Sequence, residues 1–488
     1  MRKLILINPS FNIVKSKYDT SLSVGLLCLA SYLYKKGVPV KIIDCARQEN
    51  WSKILDEELS SASYVGLSVM TTQIPSAMQI AWRVRQAGSR IRLIWGGPHA
   101  TFFPEEMLKS NLVDFVILNE GEETLWELLS MLEDVRHQDF SKIKGLGWKD
   151  NDKIFINEKR ELLMMDQIPL PNWDLMPGEV LERLELVPTH TSRGCPHRCA
   201  FCINAITKNR WRMRKPEAVL QDLQIIRSKP EFSVKKLRFW DENFFVDIKR
   251  VEEIIDGMIN ENLAIPWETT IRADYFSRPE MTDDFLAKLR ISGCYLLSFG
   301  AESGSARMLK KIDKDITREE ILGSARKCLK HDIIPQYSFM VGLPGETKDD
   351  IRQTISLIDE LVRLSPKIQI LGPQAFRPYP GSTLYEECLA SGWQAPSGLK
   401  AWAEAVENEM NYLTPYHFPW VANPDLVDSL EAYTRFGAHS LASAMSSTVQ
   451  SSKILKLGFS LICKLRWKLR FFKWPVEYKF AKRFITNA

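Results

Sequence analysis

Several features that would place the chain in a simpler class are missing. No low-complexity tract interrupts its 488 residues, and 45% hydrophobic with 26% charged residues excludes an extended or disordered protein. That length exceeds one ordinary core, so two or three domains are expected. The net charge is only +5, too weak a bias to indicate nucleic acid. Nine cysteines are unevenly spread: three share one short loop, while Cys28, Cys45, Cys294, Cys328, Cys388 and Cys463 are scattered. This excludes a disulfide framework and suits a reducing compartment and metal binding. The apolar run over 4–7 is too short for a signal peptide and no cleavage site follows, so a cytoplasmic location is expected.

What is present centres on Cys195-Pro196-His197-Arg198-Cys199-Ala200-Phe201-Cys202, three cysteines at C-x3-C-x2-C spacing. The loop follows a strand-like run over 186–191, whose Pro188 cannot donate a ladder hydrogen bond and so predicts a sheet edge. Three thiolates on one tight loop can hold three irons of a 4Fe–4S cluster, which normally takes four cysteines. The fourth iron is then open, as catalytic metal sites are. The other reading is a zinc knuckle with His197 or a distant cysteine as fourth ligand. Zinc pairs usually have a second pair about 12 to 20 residues on, and none follows here. Thr191-Ser192-Arg193-Gly194-Cys195 through Cys202 resembles the cluster motif of radical S-adenosylmethionine (SAM) enzymes. The resemblance implies that Cys195, Cys199 and Cys202 are the metal ligands and that the open iron chelates the amino and carboxylate groups of SAM. One electron then splits the sulfonium, and the 5′-deoxyadenosyl radical abstracts hydrogen from an unactivated C–H position.

Over 1–140, short apolar runs alternate with helical patterns. Strands are predicted over 4–7, 40–43, 64–69, 91–95 and 115–118, with helices over 22–36 and 76–86. This alternation predicts a doubly wound, Rossmann-like parallel sheet covered on both faces. Such sheets bind ligands at the carboxyl ends of their strands. Here those ends are Asn8-Pro9-Ser10, Ser68-Val69-Met70-Thr71-Thr72-Gln73, Gly96-Gly97-Pro98-His99-Ala100 and Asn119-Glu120-Gly121-Glu122. These loops resemble the cobalamin-binding domain that precedes many radical SAM domains. The resemblance implies that Ser10, Ser68, Met70, Thr71 and Gln73 border cobalamin, with Ser68 and the hydroxyls after it facing the nucleotide tail. It places Glu120 and Gly121 at the same edge, and has Gly96 and Gly97 leave room for the tail. The Asp-x-His-x-x-Gly motif that gives a histidine to cobalt in many cobalamin proteins is absent, since Asp44-Cys45-Ala46-Arg47 has none. His99, a lone histidine in a loop, is expected to be solvated. The other reading of 1–140 is a doubly wound domain for another ligand, or a docking platform.

Residues 141–184 read as a connector: a hairpin over 142–157 turning at Asn151-Asp152, then a stiff proline-rich stretch, Pro169 to Pro177. Over 185–400 the alternation resumes. Strands are predicted over 186–191, 236–240, 267–271, 295–299, 335–341 and 368–376, with helices between them. Six β/α units match a partial (β/α)6 TIM-like barrel, the fold the resemblance implies, with functional groups at the strands' carboxyl ends. There the resemblance implies that Asp241 and Glu242 accept hydrogen bonds from the ammonium of SAM. Arg272 would pair with a carboxylate of SAM or substrate, and Glu302 and Ser303 would meet the ribose or amino group. Gly342 and Pro344 would support the adenine, with the Phe201 backbone close to it. Each also has a structural reading: glycines as turn residues, Glu302 as a helix cap, Arg272 in a surface ion pair.

The last part, 401–488, is predicted to be mainly helical. Residues 451–488 hold ten Lys or Arg and one acidic residue, Glu477, interleaved with leucine, phenylalanine and tryptophan. The longest uncharged run, 457–463, is far short of the about 20 residues that span a bilayer. Such a basic amphipathic tail suits a peripheral contact on the cytoplasmic membrane face, or a helix packed on the barrel or in a dimer interface. The first would point to a lipid-like or tetrapyrrole substrate.

The combined expectation is an α/β enzyme using a 4Fe–4S cluster, SAM and cobalamin, served by an electron donor such as flavodoxin or ferredoxin. The leading function is transfer of a methyl group from methylcobalamin to an unactivated carbon of a small molecule. The alternatives are an oxidative cyclase or ring-rearranging enzyme with the same cofactors, and, from another class, a non-catalytic cobalamin or iron–sulfur sensor.

Overall fold

The computed structural model describes residues 2–11, 22–88, 90–134, 136–204, 210–232, 235–263, 265–407, 414–438 and 453–485. The chain divides into two compact units. One comprises Met1–Pro188, Gln221–Lys235 and Pro396–Met410, the other Thr189–Leu220, Lys236–Ala395 and Asn411–Ala488.

In the first unit, β1 (Lys3–Asn8), β2 (Val40–Asp44), β3 (Ala62–Ser68), β4 (Arg92–Gly96) and β5 (Phe115–Ile117) run parallel in the order β2-β1-β3-β4-β5. Helices Val24–Lys35, Trp51–Leu59, Ile74–Ala87 and Glu122–Glu133 lie in the crossovers. Ile5, Ile7, Val65, Leu67, Leu93 and Trp95 are all buried, because strands covered on both faces have no side to give to water. Helix Trp51–Leu59 escapes the sequence pattern since only Leu55 and Leu59 are buried, too thin a stripe to read. The strand order reverses between β1 and β3, and ligands of open sheets sit at that point.

β6 (Leu146–Asp150) and β7 (Lys153–Ile156) extend this sheet beyond β5 in antiparallel pairing. The stretch 141–184, expected as a connector, therefore builds part of the first unit. Its aromatics explain why: Trp148 stacks on Phe155 at 4.4 Å and Phe140 packs edge-on against Phe115 of β5 at 5.2 Å. The turn falls at Asn151, with φ 52°, as expected.

After β8 (Leu186–Thr189), at whose last residue the chain passes from the first unit to the second, come a short antiparallel pair β9 (Ser192–Arg193) and β10 (Arg212–Met213), then β11 (Lys236–Phe239), β12 (Trp267–Ile271), β13 (Cys294–Glu302), β14 (Ile334–Val341) and β15 (Gln369–Ala375). The six-stranded sheet has the order β15-β14-β13-β12-β11-β8, with β11 to β15 parallel. Pro188 stands in an edge strand, as its missing donor requires. Along β14, Tyr337, Phe339 and Val341 are buried while Gln336, Ser338 and Met340 are half-buried on the opposite face. Tyr337 reaches the covering helix, its hydroxyl donating to the Ile321 carbonyl at 3.1 Å. Thr317 and Thr347 begin helices Arg318–Lys330 and Lys348–Leu364 with capping boxes, which end the strand-terminal loops at defined points.

The described part of 401–488 is helical but divided. Helix Gly398–Glu407 belongs to the first unit, whereas Pro424–Tyr433, Lys453–Leu469 and Val476–Ile485 belong to the second. Residues 408–413, 439–452 and 486–488 lie outside the described residues. No described helix is long and apolar enough to cross a membrane.

Candidate active site

β9 and β10 bracket the cysteine loop, and buried polar groups fix its entry. Asp241, at the end of β11, accepts hydrogen bonds from Thr191 N at 2.7 Å, Thr191 Oγ1 at 2.5 Å and Ser192 Oγ at 2.5 Å. Arg250 Nη2 donates to the Thr191 carbonyl at 2.9 Å, and Gly194 N donates to Glu242 at 3.1 Å. Further along, Ala200 N donates to the Ile312 carbonyl at 2.9 Å. The sulfurs are also approached by donors. Arg272 Nη1 lies 3.8 Å from Cys199 Sγ, and Asn243 Nδ2 lies 3.9 Å from Cys195 Sγ. Donors directed at sulfur stabilise thiolate ligands, so the residues present fit a thiolate-bound cluster. Burial pushes the Cys195 and Cys202 thiols up, and a bound metal overcomes this by taking the place of the protons.

The zinc knuckle fits less well. His197 is engaged elsewhere, its Nε2 lying 2.8 Å from the Tyr275 hydroxyl.

Beside the sulfurs lies a cavity of about 370 Å³ whose wall includes Phe201, Glu242, Arg272, Glu302 and Lys314. Glu302 sits at φ 62°, a conformation that costs a non-glycine residue about 1 kcal/mol or more. It is held there by Lys314 Nζ at 3.0 Å, and a side chain at Gly300 would collide with its carboxylate. The wall also includes Arg238, Ser298, Gln336 and Ser338 beside the apolar Ile271, Phe299 and Leu371.

The structure sorts the barrel residues expected at the cofactor. Cys195, Cys199, Cys202, Phe201, Glu242, Arg272 and Glu302 meet on one cavity. Asp241 does not: its carboxylate is consumed by the loop behind the wall. Ser303 is fully buried, with Oγ 3.2 Å from Thr354 Oγ1. Arg272, expected to grip a carboxylate of SAM or substrate, instead binds Asp274 at 2.9 Å, the Lys314 carbonyl and the Cys199 sulfur. Gly342 and Pro344 stand off the cavity. Trp420 Nε1 donates to the Gly342 carbonyl at 2.8 Å, and Leu343 packs with Ala200, Met308 and Ile312 in the cluster behind Phe201. Lys314 and Asn243 were not singled out by sequence. Lys314 has no motif of its own, whereas Gln336 and Ser338 could be found from the alternation along β14.

In the first unit, Ser68, Met70, Gly96, Gly97, Glu120 and Gly121 all keep some exposure at the strand ends. Gln73 does not face outward. Its Nε2 donates to Asn8 Oδ1 at 3.1 Å and the Pro9 carbonyl at 2.6 Å, and its Oε1 accepts from Met70 N at 2.9 Å. It ties the loop after β1 to the loop after β3. Ser10 is bonded to Ser76 Oγ at 3.1 Å. His99 is buried, not solvated: it packs on Phe103 and Trp402, its Nδ1 lies 3.2 Å from Thr71 Oγ1, and burial pushes it down to about 3.

Gly97 has φ 91°, and a Cβ there would stand 2.7 Å from Val69 N. Gly97→Ala is therefore expected to cost about 2–4 kcal/mol of stability. At Gly96 the nearest atom to an added Cβ is 3.7 Å away, so Gly96→Ala should stay within about 1 kcal/mol of wild type. Thermal melts of both variants check this; equal melting points would contradict it.

Residues 189–358 match the model of the radical SAM superfamily, and residues 10–129 that of the B12 binding domain. An uncharacterized methyltransferase of Pyrococcus horikoshii is 30% identical over 402 residues, covering 80% of this chain and 84% of the relative. The anaerobic magnesium-protoporphyrin IX monomethyl ester cyclase of Synechocystis sp. is 23% identical, covering 75% of this chain and 73% of the relative. Among solved structures, the radical S-adenosylmethionine methyltransferase TsrM from Kitasatospora setae is similar with a TM-score of 0.72 at 16% identity, covering 99% of this chain and 100% of the other.

Proposed function

The chain belongs to the radical SAM enzymes that carry a B12-binding domain, and from that premise we propose that it methylates an unactivated carbon of a hydrophobic small molecule. As a member of this family it uses a 4Fe–4S cluster, SAM and cobalamin. When bound, the cluster supplies the electron that splits the SAM sulfonium, and cobalamin supplies the methyl group.

The observation that carries the reading is the meeting of three cysteine sulfurs with Glu242, Glu302 and Lys314 on one cavity. Cys195, Cys199 and Cys202 hold the cluster. Arg272 and Asn243 direct donors at two of those sulfurs and offset their charge. Glu242 and Glu302 offer acceptors to the ammonium and ribose hydroxyls of SAM, and Lys314 fixes the Glu302 carboxylate in orientation. Phe201, backed by Leu343 and its apolar neighbours, gives a flat wall for the adenine. In the first unit, the half-buried strand ends at Ser68, Gly96 and Glu120 are the surface for cobalamin.

Methylation is favoured by the Pyrococcus relative, a methyltransferase by name. The cyclase of Synechocystis sp. supports oxidative cyclisation as the second reading, and a tetrapyrrole-like substrate with it. A flavodoxin- or ferredoxin-type donor would deliver the electron. Nothing supports the sensor alternative.

SAM carrying a deuterated methyl group separates the two readings. With the reduced enzyme and a candidate tetrapyrrole or lipid, methylation puts the label in the product together with 5′-deoxyadenosine. Formation of 5′-deoxyadenosine with an unlabelled, oxidised product would replace methylation by cyclisation.

A further inference from the structure

Helix Lys453–Leu469 has two apolar faces. Ser460, Cys463 and Trp467, three and four residues apart, are buried in the second unit. Trp467 Nε1 donates to Asp359 at 2.7 Å and Ser460 Oγ to the Phe436 carbonyl at 3.1 Å. Gly437 allows this close approach, since a Cβ there would stand 2.7 Å from the Cys463 carbonyl oxygen. One side of the helix is thus fixed to the fold.

The opposite side repeats leucine every fourth residue, at 457, 461, 465 and 469, and Leu465 and Leu469 are 59% and 64% exposed. Trp474, Val476 and Phe480, after the helix, are exposed as well, Trp474 by 72%. A helix already packed by one face has no folding reason to show water a second leucine stripe. Apolar surface residues are commonly scattered singly, and a contiguous run of them marks a contact site.

Charge selects the occupant. The segment 451–488 holds ten Lys or Arg against Glu477 alone; of these, Arg466, Arg470 and Lys479 are paired with Glu477, Asp359 and Asp425. The Glu477 carboxylate is taken up internally, by Arg466 Nη2 at 2.8 Å and the Tyr433 hydroxyl at 2.7 Å. Lys468 and Lys473 are exposed beside the leucines and Trp474. A second copy would bring like charge onto like charge, whereas an anionic bilayer offers acyl chains to the leucines and negative headgroups to the lysines. We propose that this outer face docks the protein on an anionic lipid surface, in the plane of the headgroups, while the inner face stays packed in the second unit. The docking does not depend on which reaction the barrel performs.

Co-sedimentation of the full chain tests this, using phosphatidylcholine vesicles with and without phosphatidylglycerol. Binding is expected with the anionic vesicles in low salt, and little with phosphatidylcholine alone or in high salt. Leu465→Glu with Leu469→Glu should raise the lipid needed for half-maximal binding by about tenfold or more with an unchanged melting curve. If that pair melts lower, Lys468→Glu with Lys473→Glu reads the same surface and carries the same expectation. Failure of the wild type to bind anionic vesicles, or variants that bind as it does, would overturn the proposal. So would a concentration-dependent dimer that the leucine variants abolish in the absence of vesicle binding, which would assign the face to a second copy.

Discussion

Cys199→Ala is expected to give a folded protein that neither retains a 4Fe–4S cluster nor cleaves SAM. The loop offers three thiolates where such clusters normally take four, so losing one leaves no stable anchorage. Cys199 is the most buried of the three, 8% exposed, and its sulfur is the one that faces Arg272 at 3.8 Å. After anaerobic reconstitution, iron should fall from about four atoms per chain to a small fraction of that. Formation of 5′-deoxyadenosine should fall by about a thousandfold or more, because the electron has lost its carrier. Cys328→Ala is the control. That cysteine is fully buried in the helix Arg318–Lys330, away from the loop. Its loss should cost about 1–2 kcal/mol of packing with iron unchanged. A Cys199→Ala protein with a full cluster, or a wild type that takes up zinc instead, would remove the basis of the assignment.

The second large effect separates two neighbouring carboxylates. Asp241→Asn replaces an acceptor of three hydrogen bonds by a carboxamide with one acceptor oxygen. The carboxamide oxygen can keep the bond from Thr191 N, but the Thr191 and Ser192 hydroxyls must then turn to accept from the NH2 group, and the buried charge that draws all three donors is lost, at a cost of about 1–3 kcal/mol. Arg250, beside Asp241, also loses one of its acidic neighbours, with Asp247 and Glu253 remaining. The variant should melt lower and lose cluster on desalting, because these groups fix the entry to the cysteine loop. Glu242→Gln acts differently. Glu242 lines the cavity and accepts a hydrogen bond from Gly194 N at 3.1 Å. Its melting should stay within about 0.5 kcal/mol of wild type, while the KM for SAM rises by about tenfold with the loss of a charged acceptor. Equal melting points for the two variants, or an unchanged KM in Glu242→Gln, would show that the carboxylates do not divide the work in this way.

Strands were legible wherever their apolar pattern was self-contained. β12 falls on the residues the pattern selects, Trp267–Ile271, since its neighbours are polar or turn-forming. β13 runs on to Glu302, beyond the apolar run, because Gly300 and Glu302 continue to pair with Ser338 and Phe339 of β14. Only the partner strand decides such an extension. His99 shows the same limit for burial. A loop histidine reads as solvated, but Trp402, from a distant helix of the same unit, covers it.

By itself, the sequence determined the alternating α/β order of both units, the proline in an edge strand and the loop with three cysteines, while the barrel and the identity of the cofactor came from the family that the loop resembles. The first three follow from periodicity and spacing between near neighbours, which folding does not rearrange. Tertiary structure decided which of two adjacent carboxylates reaches the cavity, and that Lys314 arrives beside Glu302 while Ser303 turns away. It also decided that the last helices bury one apolar face and leave the other outside. Each of these depends on how segments far apart in the chain share one volume, and local pattern carries no record of that.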